Sequence, residues 1–264
     1  MKKTFEEYLA QGISLLETGD YKGAEGQFRQ CTEVEPGNAE GYFNLGDALA
    51  ADDKPEEAIG VYLEGLKLAP EDTEALTALG DIYFELGRHK DALRTYRKFT
   101  ELAPKEADGY VNIGLVYNSM ERTDEAIKAY NAALELEPDN VFAYNALGDA
   151  WYGLGERDKA IAAFKKGVEI DPHDAAAHFN LGELYYDLGE FKEAEQECLE
   201  AIRLDPAFTL SYLTLGSLYM DQEHVIDAIS SLELYLKMEK SPQAADTVAE
   251  VKAVVESLKA EIKK

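Results

Sequence analysis

The side chains of this 264-residue chain that could do chemistry are two thiols, four imidazoles and 52 carboxylates. A disulfide framework or thiolate metal site needs paired cysteines, whereas Cys31 and Cys198 stand far apart with no CxxC spacing. A reactive thiolate also needs nearby cations to lower its pKa, and neither cysteine has a basic cluster beside it. Imidazoles that share a zinc ion on one helix face stand four residues apart; His173 and His178 are five apart, and His89 and His224 are isolated. Carboxylates are so frequent that an acid–base pair could be drawn almost anywhere, which removes their value as a catalytic signal. The glycines form no phosphate loop, dinucleotide fingerprint or nucleophile elbow. No catalytic residue, metal or cofactor is expected, and the chain reads as a non-enzyme.

Fifty-two acids against 26 bases give a formal charge of -26 and a pI near 4.4. A nucleic-acid groove must neutralise phosphates with clustered Lys and Arg, so this balance argues against DNA or RNA. Anionic membrane surfaces are disfavoured on the same ground, and no apolar run is long enough to span a bilayer. Disorder is equally disfavoured: the chain is 46% hydrophobic and holds 16 Tyr, 10 Phe and one Trp. The start, Met1-Lys2-Lys3-Thr4-Phe5-Glu6-Glu7, lacks the apolar core of a secretory signal, which makes a cytoplasmic location the expectation.

Side chains that lack chemistry of their own must instead be positioned by a repeating framework. Glycines recur every 34 residues at Gly12, Gly46, Gly80, Gly114, Gly148, Gly182 and Gly216. Alanines follow twelve residues later, at Ala24, Ala58, Ala92, Ala126, Ala160, Ala194 and Ala228. Prolines close the first six periods at Pro36, Pro70, Pro104, Pro138, Pro172 and Pro206, and the last period has Lys240 in that place. Small residues let two helices approach closely, and proline stops the second helix.

Tyr144, Leu147, Gly148, Trp151, Ala160, Phe164 and Pro172 carry the full pattern, which resembles the tetratricopeptide repeat (TPR), a helix-turn-helix unit of 34 residues. The resemblance implies an all-α, right-handed superhelical α-solenoid. Seven repeats are expected at 5–38, 39–72, 73–106, 107–140, 141–174, 175–208 and 209–242, after a leader at 1–4. Thr4 and Glu7 form a capping-box pattern at the start. Val248, Val251, Val255, Leu258 and Ile262 form one apolar stripe, so residues 243–264 read as a C-terminal capping helix, with Lys263 and Lys264 among its off-stripe charges. Gly19, Gly87, Gly155 and Gly189 fall where a first helix would end in a left-handed cap. His178 holds a position that sister repeats give to Tyr, and Cys31 and Cys198 hold packing positions.

In the family the first helix of each repeat lines a concave groove that takes peptides. The positions this implies are acidic at Glu40, Glu74 and Asp108, then at Asp47, Asp81, Asp149 and Glu183. Between them stand apolar and aromatic residues, Phe43, Phe84, Leu115, Phe142, Tyr152, Phe179 and Tyr186, with amides at Asn44, Asn112 and Asn180 that could bond a bound backbone. No Lys or Arg occupies these positions, so the clamp that holds acidic tails in chaperone-binding members is missing. The expected partner is a protein or peptide with a basic or amphipathic segment, held by a non-enzymatic interaction scaffold. The third repeat alone is neutral, with six acids and six bases. Its Lys90, Arg94, Arg97 and Lys98 would form a basic patch on the convex side, and the alternative function is a head-to-tail self-assembling scaffold, a homo-oligomer joined through that patch.

Overall fold

The computed structural model describes residues 3–262, and among them every regular element is a helix. Met1, Lys2, Lys263 and Lys264, at the outer ends of the expected leader and cap, lie outside the described residues. The chain divides between Glu137 and Pro138 into two compact units, here called the N-terminal and C-terminal halves. The N-terminal half contains α1 (Phe5–Glu17), α2 (Tyr21–Val34), α3 (Ala39–Ala51), α4 (Pro55–Leu68), α5 (Thr73–Glu85), α6 (His89–Leu102), α7 (Ala107–Ser119) and α8 (Thr123–Leu136). The C-terminal half contains α9 (Val141–Gly153), α10 (Arg157–Ile170), α11 (Ala175–Asp187), α12 (Phe191–Leu204), α13 (Thr209–Asp221), α14 (Val225–Met238), a 3-10 turn (Pro242–Ala244) and α15 (Ala245–Ile262). Odd-numbered helices from α1 to α13 are termed A and even-numbered ones B; each A helix packs on the B helix that follows it.

Side-chain caps start many of the A helices. The Glu7 N–H donates to Thr4 Oγ1 at 3.3 Å and the Thr4 N–H to Glu7 Oε2 at 2.9 Å, the expected reciprocal box. Asn38, Asp72, Asn140 and Asp174 accept first-turn N–H groups in the same way, each cap contributing about 1 kcal/mol. Each A-to-B turn contains one residue in the left-handed region. Gly19, Gly87, Gly155 and Gly189 fill it with φ of 79°, 68°, 73° and 74°. Asp53, Glu121 and Glu223 fill the same register in the other three turns with φ of 59°, 58° and 62°. A side chain there costs roughly 1–2 kcal/mol, which glycine avoids.

The recurring glycine does a more specific job than close approach to alanine. A Cβ at Gly46, Gly80 or Gly114 would lie under 3 Å from the ring of Tyr62, Tyr96 or Tyr130, and Gly12 and Gly148 face Phe28 and Phe164 in the same way. Each glycine is therefore a notch for the ring sixteen residues later, and Leu232 fills the notch of Gly216. At Gly182 the filler is the small Cys198, and there the backbone of α12 itself comes to 3.2 Å of the Cβ position. The seven alanines have no solvent exposure, and the Ala194 carbonyl lies 3.3 Å from the Cβ position of Gly182.

Successive hairpins are tied through the proline turns. The hydroxyls of Tyr42, Tyr110 and Tyr212 donate to the carbonyls of Pro36, Pro104 and Pro206 at 3.2, 3.4 and 3.2 Å. His178 takes the tyrosine place: it is buried, with Nε2 at 3.2 Å from the Pro172 carbonyl and Nδ1 at 2.7 Å from Glu197. At the end of the C-terminal half, Val251 and Val255 of α15 are buried against Tyr212, Ile229 and Tyr235, with Val248 and Leu258 beside them. Ile262, last on the expected stripe, is exposed.

This packing can be tested with three substitutions. Gly148→Leu drives a side chain into a space where even a Cβ lies 2.5 Å from Phe164, and it is expected to cost about 3 kcal/mol in urea denaturation. Exposed Glu57→Ala should change stability by less than about 0.5 kcal/mol. Glu121→Gly removes the left-handed penalty and is expected to add about 1 kcal/mol; a lowered Tm would contradict the strain assignment.

Candidate peptide-binding surfaces

The expected groove residues of α3 and α5 meet in the N-terminal half. Glu40, Phe43, Asn44 and Asp47 from α3 and Glu74 from α5 line one open cavity of about 540 Å³, closed by Tyr62 of α4 and by Asp72 in the turn before α5. Four carboxylates and no Lys or Arg face it. Phe43 stacks on Tyr62 with ring centroids 6.2 Å apart, giving the cavity an aromatic wall. Asn44 is partly committed, since its Nδ2 donates to the Glu40 carbonyl at 2.9 Å.

The rings that fill the glycine notches also reach these carboxylates. The Tyr62 hydroxyl donates to Asp47, and the Tyr96 hydroxyl donates to Asp81 at 2.5 Å. Both residues are exposed to solvent, but the neighbouring helix walls strip part of the hydration of their carboxylates. That desolvation raises their pKa and outweighs the opposing tyrosine bond. Phe84 is half-buried against His89, with centroids 6.1 Å apart. On α7, Asp108 is exposed, and Asn112 and Leu115 are half-buried.

In the C-terminal half Asp149 holds the place of Asp47, but its notch ring is Phe164, which has no hydroxyl to offer. Asp149, Tyr152, Phe164, Asn180 and Glu183 surround a small cleft. Desolvation, then the neighbouring Glu183 charge, push Asp149 up to about 6, and desolvation also raises Glu183. Tyr152 of α9 donates to Asp187 of α11, and Tyr186 of α11 to Asp221 of α13 at 2.8 Å, so these two tyrosines brace successive A helices. Phe179 is buried beside Phe208, with centroids 5.1 Å apart, so it supports the surface from beneath. Phe142, by contrast, is 58% exposed.

On the other side of the N-terminal half, Lys90, Arg94, Arg97 and Lys98 stand on one face of α6 and, with Arg122, line a groove of about 490 Å³. Arg94 pairs with Asp91 at 2.8 Å, an acid shared with Arg88, and Arg97 donates to the Tyr117 hydroxyl at 2.5 Å. Glu101 lines the same groove.

Family sequence comparisons agree with this geometry. Models described as tetratricopeptide repeat match residues 9–73, 107–140 and 175–208, and one described as TPR repeat matches 80–120 and 148–189. A crystal structure of MamA protein is 30% identical, aligned over 67% of this chain and 96% of that one, with a TM-score of 0.60. The chain belongs to the tetratricopeptide repeat family. In fold alone, this TPR chain also resembles a tetratricopeptide repeat protein from Parabacteroides merdae, 19% identical over 94% of this chain and 98% of that one, TM-score 0.75. Yeast Tom70 is 18% identical over 99% of this chain and 56% of that one, TM-score 0.77. No curated protein matches the chain. Its family membership makes it a non-enzymatic protein-interaction scaffold.

The reactive groups of this TPR protein sit in structural places. Burial pushes the Cys31 thiol up to about 11 and the Cys198 thiol up to about 12, so neither supplies a thiolate near neutral pH. His89 and His224 stand at the starts of α6 and α14 against Phe84 and Tyr219. Among the described residues no three His, Cys, Asp or Glu side chains are grouped to hold a metal ion, and no helix is long and apolar enough to cross a membrane.

The tyrosine–aspartate bonds, absent from the sequence reading, were visible in the spacing: Asp47 and Asp81 each precede a notch tyrosine by fifteen residues. Phe164→Tyr would place a hydroxyl beside Asp149, and an NMR titration should show its pKa falling below about 6. Because the folded-state pKa of Asp149 is raised from an ordinary 3.8, its contribution favours the folded state below that value and is lost as pH rises through about 6. Asp149→Asn should therefore flatten the decline in stability between pH 4 and 6; an unchanged slope would remove Asp149 as its source.

Proposed function

We propose that the chain holds a partner segment carrying Lys or Arg next to apolar side chains, and that the A-helix surface of the N-terminal half receives its basic part. The observation that carries this reading is the cavity of about 540 Å³ with Glu40, Asp47, Asp72 and Glu74 around an aromatic wall and no cation of its own. Partial desolvation already disfavours the charged form of Asp47, so a ligand ammonium or guanidinium would relieve a cost that exists in the free protein. Asp81, Phe84, Asp108, Asn112 and Leu115 extend the surface in that half. The exposed Phe142, with Tyr152, Asn180, Glu183 and Tyr186, offers the C-terminal half an apolar and acidic surface for the same class of ligand. The partner is a protein, not nucleic acid, and the encounter belongs in the cytoplasm.

Fluorescence anisotropy with Leu/Lys peptides and their Leu/Glu counterparts tests the reading. Asp47→Asn with Glu74→Gln should weaken the Lys peptide roughly tenfold, about 1.4 kcal/mol, and added salt should weaken it further. Equal binding of both peptides to the A-helix surface would sink the proposal.

A second reading, self-assembly through Lys90, Arg94, Arg97 and Lys98, is favoured by one observation: these four bases share a groove opposite in sign to the acidic cavity. Sedimentation velocity should then show mass rising with concentration in the wild type and a monomer in Arg94→Glu/Arg97→Glu. A monomer in both ends this reading.

A further inference from the structure

A second trough crosses the B-helix side of the N-terminal half, between α4, α5 and α6, with a volume of about 530 Å³. Its floor is apolar, built from Leu66, Leu76, Leu79 and Tyr83, and Leu63 forms a lip that is 43% exposed. The volume falls within the roughly 300–1,000 Å³ usual for ligand pockets. Arg94 and Lys98, one helical turn apart on α6, stand along the opposite rim.

The rim carries uncompensated positive charge. Lys67 and Glu64 on the α4 side neutralise each other at 2.5 Å. On the α6 side Arg94 shares its only acid, Asp91, with Arg88, and Lys98 has no ion-pair partner among the described residues. A cationic rim beside an apolar floor, on a protein of charge -26, is complementary to acidic side chains flanking apolar anchors.

Gly60 leaves one wall of the trough low. It lies inside α4, where glycine weakens a helix, and a Cβ there would meet nothing within 4 Å. Gly65 of the same helix is different, because a Cβ there would strike Phe43. The internal packing of the protein thus requires glycine at 65 and not at 60. Gly60 lines the trough, where a bare backbone lets another chain come close.

We propose that this trough docks an amphipathic segment of a protein partner, with apolar side chains on Leu63 and the leucine floor and acidic side chains against Arg94 and Lys98. The surface is separate from the acidic A-helix cavity and opposite to it in ligand charge, and the inference does not rest on what that cavity binds. A helix laid in an apolar groove, with flanking acids setting its orientation, is the recognition mode the shape suits.

The test uses the full chain and two labelled synthetic peptides, an amphipathic Leu/Glu helix and the same peptide with Lys for Glu, in anisotropy titrations. The Leu/Glu peptide is expected to saturate the wild type and the Asp47→Asn variant alike, and to bind at least tenfold more weakly to Leu63→Glu, Gly60→Leu and Arg94→Ala/Lys98→Ala. Gly60→Leu should lose binding while its Tm rises, a combination that damage to the fold cannot produce. Absence of saturable Leu/Glu binding, equal affinity across the variants, or equal affinity for the Lys peptide at the trough overturns the proposal. So does concentration-dependent self-association of the wild type that Leu63→Glu abolishes, since the occupant would then be a second copy.

Discussion

The seating of a large side chain in a backbone notch, sixteen residues after the glycine that makes it, is the contact on which the rest of the structure depends. Tyr62, Tyr96, Tyr130 and Phe164 are nearly or wholly buried, and each such burial contributes on the order of 1.5–3 kcal/mol. The notch also sets how close the two helices of a hairpin come, because the ring occupies volume that a Cβ would otherwise claim. Where the ring is replaced by Cys198, the helices close the gap with backbone instead. Position along the B helix is fixed at the same time, since sliding one residue would carry the ring out of the notch.

That constraint reaches the candidate binding surface directly. Tyr62 and Tyr96, seated in their notches, have their hydroxyls delivered to the A-helix residue just after the glycine, Asp47 and Asp81. One residue therefore fills the core and orients a groove carboxylate. Phe164 fills the same volume and leaves Asp149 to be governed by desolvation and by Glu183. The acidity of the surface is consequently uneven in quality: all three carboxyls are raised by desolvation, but a neutral donor opposes the rise at Asp47 and Asp81, whereas Asp149 lacks one and is pushed up to about 6.

The fold was legible because its signals are backbone signals. Glycine at a notch, proline after a B helix and Thr4 with Glu7 at a cap each act through chain geometry that a single sequence records. The cavity around Glu40, Phe43, Asn44, Asp47 and Glu74 was legible for the same reason, since repeat positions translate into shared faces. Side-chain commitments were harder to read. Phe179 shares its repeat position with Phe43, yet Phe208, contributed by the turn before α13, covers it. Tyr152 and Tyr186 looked like apolar lining until Asp187 and Asp221, each on the next A helix, were brought to their hydroxyls. Asp53, Glu121 and Glu223 gave no sign of a left-handed backbone, because only glycine advertises one. The division at Glu137 and Pro138 leaves no mark on a period that runs through it unchanged.

Alternation of faces along α4 explains how one half can present surfaces of opposite character. Tyr62 and Gly65 turn toward α3, where the ring takes the Gly46 notch and Gly65 makes room for Phe43. Gly60, Leu63 and Leu66 turn toward the trough. Tyr62 and Leu63 are adjacent in sequence, about 100° apart around the helix, so they must serve different surfaces. The acids that face the first surface come from α3, from α5 and from the turn before α5, and the bases that rim the second come from α6. Sign is thus segregated by helix. The Tyr62 ring in the Gly46 notch fixes which face of α4 meets the acidic cavity and which meets the trough, so each surface keeps its own set of side chains.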